Sequence, residues 1–174
     1  MKYLVNFFVI LFFLIYSNIV NANEKILYIN MNQILNNSLA GEFINKESEK
    51  IHIANISYFK EKESKLKKEE SEILLQKNIL SETEYSKKIV SLKQKIKDYQ
   101  SEQKNKIKSL NEKRSKAKSK LLSNLNFILT EYSEKNNISL ILNKENIIIA
   151  KKDLDITADI IILLNKKIKK INLN

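Results

Sequence analysis

Ser81-Glu82-Thr83-Glu84 is the stretch on which the fold turns. It lies inside a run from Ser38 to about Lys135 in which nearly every residue is a helix former or a tolerable helix guest, with no proline to stop it. One unbroken rod of that length is out of keeping with ordinary helices. The capping-box spacing resolves this, because the Ser81 hydroxyl can accept from the backbone near Glu84 while the Glu84 carboxylate reaches back. A helix therefore starts at Ser81, the chain reverses near 78–82, and the run becomes an outgoing arm ending near Lys77 and a return arm. At 1.5 Å per residue, each arm of about 40 residues projects roughly 60 Å.

The spacing of apolar residues says how the arms hold each other. In the outgoing arm Phe59, Leu66, Ile73 and Leu80 recur every seven residues, preceded by a row at Ile44, Ile51 and Tyr58. The return arm steps by three and four through Tyr85, Ile89, Leu92, Ile96, Tyr99 and Gln103, then less regularly through Leu110, Arg114, Ala117 and Leu121. A seven-residue repeat is the coiled-coil period, so the two seams can pack antiparallel. The seam is thin: Glu63, Glu70, Lys77, Gln103, Lys106 and Arg114 stand where apolar residues would complete it. Such substitutions weaken a coiled coil, and the arms are expected to bend and fray toward the tip. From Leu121 to Tyr132 apolar residues are far denser, which marks entry into a packed body.

On either side of the arms lie candidates for that body. Lys25-Ile26-Leu27-Tyr28-Ile29-Asn30 is a short β-branched run that reads as a buried strand. Ile138 to Leu142 and Ile147 to Ala150 flank the polar turn Asn143-Lys144-Glu145-Asn146, a pattern that predicts a β-hairpin. Asp153 to Thr157 offers caps for a last helix through Ile160 to Leu164 toward Ile168. Its centre is apolar nearly all round, more than a protein this small can bury alone, and oligomerisation is the simplest remedy. The expected oligomer body is Ile26, Tyr28, Ile138, Leu140, Leu142, Ile147, Ile149, Ile161 and Leu164.

The N-terminus carries Lys2, an apolar run from Tyr3 to Tyr16 and a polar break at Ser17-Asn18, the n-region and h-region of a secretory signal. Val20 and Ala22 fit a cut after Ala22. The alternative is an uncleaved anchor, since Tyr3 to Val20 approaches the roughly 20 apolar residues of a spanning helix; the chain would then be a structural or adaptor coiled coil held at the inner membrane. With no cysteine in the chain, a lipoprotein anchor and disulfide staples are both excluded. Absent proline and a single glycine, Gly41, argue against a compact turn-rich domain. The domain organisation is therefore 1–22 signal; 23–40 first strand and short helix of the body; 41–120 hairpin arm; 121–174 end of the return helix, β-hairpin and final helix. The fold class is mainly α with a small β body.

The formal charge is +11, or +10 once Lys2 leaves with the signal. Its distribution is uneven: residues 87–120 hold 13 Lys or Arg against three acids, Asp98, Glu102 and Glu112, whereas residues 42–77 hold eight of each sign. The candidate basic face is Lys87, Lys88, Lys93, Lys95, Lys97, Lys104, Lys106, Lys108, Lys113 and Arg114. A basic surface attracts acidic polypeptide, anionic lipid or nucleic acid, and export removes nucleic acid as the expected partner.

Catalytic chemistry finds no foothold in these residues. His52 is the only histidine, and without cysteines or clustered carboxylates it assembles neither a metal site nor a nucleophile–base pair; it reads as a helix-surface or seam residue. Gly41 stands alone, so no glycine-rich loop cradles a phosphate; it reads as a close-approach or fraying position at the start of the outgoing arm. Glu61, Glu63, Glu69 and Glu70 interleave with lysines as a solvated helix face. No enzymatic activity, cofactor or metal is expected.

With these features together, the chain resembles the Skp family, the OmpH-like periplasmic chaperones. The resemblance rests on the signal followed by Lys25-Ile26-Leu27-Tyr28-Ile29-Asn30-Met31, on the charged helical hairpin, and on Ile138-Ser139-Leu140-Ile141-Leu142 with Asp155-Ile156-Thr157-Ala158-Asp159-Ile160. It implies a homotrimer whose small β-containing body carries helical arms around a cavity, where unfolded outer-membrane β-barrel precursors are held in the periplasm without ATP. Contact with anionic lipid or lipopolysaccharide is a further implied partner. On that footing the basic arms steer acidic precursors inward, and Tyr58, Phe59, Tyr85 and Tyr99 are candidate client contacts, offered as exposed arm side chains.

Overall fold

A computed structural model describes residues 24–173; the signal expected over 1–22 lies outside the described residues. Strand β1 (Lys25–Ile29) leads into a short helix α1 (Met31–Asn37), then the long helices α2 (Leu39–Leu75) and α3 (Glu82–Asn136). Strand β2 (Ile138–Asn143), two single 3-10 turns (Lys144–Asn146 and Lys152–Leu154) and helix α4 (Thr157–Lys167) follow.

Local side-chain caps set the starts of α1, α2 and α3, whereas the N-cap of α4 is Ile156, which bears no side-chain cap. The Asn30 side chain accepts from the Gln33 N–H to open α1, and the Ser38 hydroxyl accepts from the Gly41 N–H to open α2. Ser81 and Glu84 form the full reciprocal box at the start of α3, with the Glu84 carboxylate accepting from both the Ser81 backbone and hydroxyl. The arm therefore reverses between Leu75 and Glu82, where the sequence signal lies. The 55-residue α3 ends at Asn137, whose φ of 52° and ψ of 49° place it in the left-handed region that asparagine tolerates. Gly41 is buried where α2 passes α1, and a Cβ there would lie 2.0 Å from the Leu35 carbonyl oxygen. It serves close approach, not fraying.

β1 and β2 pair in parallel, with Ile26 opposite Leu140 and Tyr28 opposite Leu142. The whole helical hairpin is thus inserted between the two strands of one small sheet. The expected β-hairpin of 138–142 with 147–150 does not form. Its polar turn is drawn instead to the start of α1: the Asn143 side chain accepts from the Met31 N–H, and Glu145 accepts from the Asn32 amide. The chain then returns to the far edge of β1, where the Ile156 N–H donates to the Tyr28 carbonyl at 3.0 Å. Ile147 is left half-buried, with Ile148 99% and Ile149 88% exposed.

The core sits where the roots of the arm meet the sheet. Ala117, Leu121, Leu125 and Ile128 of α3 form one stripe at spacings of four, four and three, and face Ile44 of α2, Ile34 of α1, Leu27 and Ile29 of β1, and Ile160 and Leu164 of α4. The Asp155-Ile156-Thr157 stretch ties α4 to this core. Thr157 is buried, its hydroxyl accepts from the Asn30 N–H at 2.8 Å and donates to Asp155, and Asp155 also accepts from the Thr157 N–H. Among the described residues no helix is long and apolar enough to cross a membrane.

Candidate functional site

The arm is held by a few buried residues with half-buried ones between them. On α2 the heptad row gives buried Phe59 and Ile73 and half-buried Leu66; on α3 Leu92 is buried, and Tyr85, Ile89, Ile96, Tyr99 and Gln103 are half-buried. Phe59 meets Tyr99 edge-on at 5.7 Å between ring centroids, and its neighbour Tyr58 at 5.1 Å. Beside this pinch the Tyr58 hydroxyl donates to Glu102 at 2.8 Å, and Lys62 pairs with the same carboxylate. Two hydrogen bonds from Lys62 and Tyr58 hold Glu102 below its ordinary carboxylate value, and Glu102 in turn raises Lys62. Farther out, Lys95 pairs with Glu69 at 2.6 Å and Lys88 donates to the Gln76 side chain at 2.7 Å.

This arrangement changes the expected client contacts. Phe59 is only 5% exposed and belongs to the seam; a heptad position pointing at the partner helix cannot also face solvent. Tyr85 and Tyr99 are half-buried, and Tyr58 alone of the four is exposed, with its hydroxyl engaged by Glu102.

The basic residues of α3 are on the surface: Lys87, Lys88, Lys93, Lys95, Lys97, Lys104, Lys106, Lys108 and Arg114 are exposed and Lys113 is half-exposed. At 3.6 residues per turn they are spread round the helix, with Lys88, Lys95 and Lys106 near the seam and Lys97 and Lys108 opposite it, and do not form a single stripe. Lys95 is tied to α2 and Lys108 pairs with Glu112 along α3. Lys87, Lys93, Lys97, Lys104, Lys106, Lys113 and Arg114 have no ion pair among the described residues. Most of the helix's positive charge is therefore uncompensated.

The expected body residues fall into three groups. Tyr28 and Leu164 are buried within the chain itself, Ile138, Leu142, Ile147 and Ile161 are half-buried, and Ile26, Leu140 and Ile149 are exposed together with Ile148 and Ile162. Among the described residues no group of three or more His, Cys, Asp or Glu is placed to hold a metal ion.

A long cationic helical hairpin rising from a small α/β body places the chain in a class of coiled-coil hairpin proteins. The family model described as Outer membrane protein (OmpH-like) matches residues 25–164, and the chain belongs to that family. Among solved structures, the chain is similar to a Caulobacter crescentus CB15 protein described as an OmpH-like outer membrane chaperone. The TM-score is 0.80 at 17% identity, over 86% of this chain and 88% of that one. At that identity the likeness speaks for the fold. A comparison with curated proteins finds no match.

Proposed function

We propose that the chain is an ATP-independent holdase of the bacterial periplasm that keeps unfolded outer-membrane β-barrel proteins from aggregating, without enzymatic chemistry. The observation that carries this reading is the unpaired positive charge of α3 on an arm whose other helix is nearly balanced in charge. Such an arm attracts acidic unfolded chains and gives them many weak contacts, whose sum competes with aggregation yet permits release. Family membership and the named chaperone of the same fold support the reading.

The holding cavity requires several arms, and the body supplies the means to gather them. Among the described residues β2 pairs only with β1, so its outer edge is open; Ile26 and Leu140 lie exposed on this two-stranded sheet, and Ile148 and Ile149 are exposed in the segment that follows β2. An unpaired edge beside exposed branched aliphatics is a template for another chain. Copies of the chain, three in the assembly proposed, cover these residues and leave the arms projecting.

The test is light scattering during dilution of a urea-unfolded outer-membrane barrel, with and without the purified protein. Suppressed scattering at one assembly per barrel, lost progressively as salt screens the arms, supports the holdase. Unchanged aggregation at that ratio refutes it.

A further inference from the structure

Between the buried pair Ile44 and Ala117 at the arm's root and the Phe59–Tyr99 contact farther out, α2 and α3 part to leave a cleft of about 1040 Å³. The cause lies in the facing stripes of the two helices. Asn55 on α2 and Gln103, Asn111 and Arg114 on α3 line the gap where a coiled coil would interlock apolar side chains. The cleft is two-faced: Phe59 closes its outer end, and Ile56 and Ile107, both about half-exposed, supply apolar wall. No interhelical hydrogen bond or ion pair spans it among the described residues; those of the arm begin at its outer edge with Tyr58 and Glu102.

Arg114 gives the cleft its charge preference. It is the only arginine among 31 basic side chains, it is exposed, and it has no ion pair among the described residues. A guanidinium binds a carboxylate through two parallel hydrogen bonds, which an ammonium does not. Of the two glutamates at the rim, Glu63 is already engaged by Lys67 at 2.7 Å, and Lys46 and Lys60 outweigh Glu49.

We propose that this cleft binds short unfolded segments in which an aromatic or branched aliphatic side chain lies beside a carboxylate. The apolar group rests on Ile56, Ile107 and Phe59, and Arg114 holds the acid. The proposal rests on the holdase reading and names the segment chemistry the arm selects. A second copy of the arm fits poorly, because it brings to an unpaired arginine either a helix whose glutamates are nearly matched by lysines or a strongly basic one. A lipid phosphate satisfies Arg114 but not the side-chain amides of Asn55, Gln103 and Asn111, which offer donors and acceptors together and match a peptide backbone. At the upper end of ligand-pocket sizes, roughly 300–1,000 Å³, the space accommodates several side chains.

The test uses fluorescence anisotropy of the full assembly with three labelled peptides: alternating Phe and Asp, the same with Asn for Asp, and the same with Ser for Phe. Arg114→Gln is expected to weaken the Phe–Asp peptide by about tenfold, the scale of one charge-assisted hydrogen-bonded contact, and to leave the Phe–Asn peptide unchanged. Ile107→Asn weakens both Phe peptides. Lys93→Gln, an equal charge loss outside the cleft, weakens the Phe–Asp peptide far less; far-UV circular dichroism checks that each variant stays helical. Equal losses in Arg114→Gln and Lys93→Gln, or a Phe–Asn peptide that suffers as much as Phe–Asp, overturn the site. Phosphatidylglycerol vesicles that bind through Arg114 while no peptide discriminates assign the cleft to lipid and overturn it too. A change in sedimenting mass on Arg114→Gln assigns it to another copy, with the same result. Barrel aggregation measured alongside separates the two claims: a wild type that suppresses aggregation without peptide discrimination loses the cleft alone, and one that fails to suppress it loses the holdase.

Discussion

Replacing Phe59 with alanine strikes the arm at its narrowest hold. The ring is 5% exposed and sits between Tyr58 and Tyr99 at centroid distances of 5.1 and 5.7 Å. Truncating a buried phenylalanine costs about 3–5 kcal/mol. The vacancy opens into the neighbouring cleft and fills with water, which places the loss near the lower bound. Because the pinch is separated from the body core by that cleft, the cost falls on local opening of the arm and not on global unfolding. About 3 kcal/mol is roughly a hundredfold rise in the opened population, at about 1.4 kcal/mol per factor of ten. Native-state hydrogen exchange reads this directly. Amides of residues 55–66 and 95–106 are expected to exchange roughly a hundredfold faster than in wild type, while those of 121–128 keep their protection. An arm that accelerates by less than about fivefold, or a body that accelerates in step with it, refutes the idea of an arm secured at separate points.

Other expectations follow from single contacts. Ser81→Ala removes the hydroxyl of the capping box and is expected to cost about 1 kcal/mol, seen as faster exchange over the first turn of α3; unchanged exchange there contradicts the cap. Gly41→Ala puts a Cβ 2.0 Å from the Leu35 carbonyl oxygen, and the forced shift of α1 against α2 is expected to cost about 2 kcal/mol and lower Tm by roughly 4–8 °C; an unchanged or higher Tm contradicts the close approach. The Glu102 carboxyl is held below its usual value of 4.5 by hydrogen bonds from Lys62 and then Tyr58. Its tie to α2 is therefore fully present above pH 4.5 and is lost as pH falls through the lower folded value. The Tyr58 ring resonances are expected to shift over that acid range in wild type and not in Glu102→Gln; identical titration in both removes Glu102 as the cause.

The elements whose signals are local were legible in the sequence. Ser81 and Glu84 announced the arm's reversal because a capping box is complete within four residues, and Phe59, Ile73 and Leu92 announced the seam because a helix repeats its faces over short distances. The pairing of Ile138–Asn143 was not legible. Its partner β1 lies more than a hundred residues earlier, and nothing in two branched aliphatic runs around a polar turn distinguishes a hairpin from a strand whose turn residues, Asn143 and Glu145, bond elsewhere. The candidate site was read in part. Uneven charge between the arms is a property of composition and needs no coordinates. The burial of Phe59 follows from its own heptad position, so a solvent-facing role conflicted with the same pattern that placed it in the seam. The cleft is not legible in the sequence, although Gln103 and Arg114 on α3 stand out as polar intruders in that seam; their meaning depends on which α2 residues stand opposite, and register across an antiparallel pair is set by the whole arm.

The claim beneath the rest is that the body gathers several copies through the open edge of β2 and the exposed Ile148 and Ile149. Sedimentation equilibrium of the processed chain, compared with Leu140→Asp/Ile149→Asp, tests it most directly. The account predicts a species of three chain masses for the wild type and dissociation for the variant. A wild type that sediments as a single, fully folded chain contradicts it.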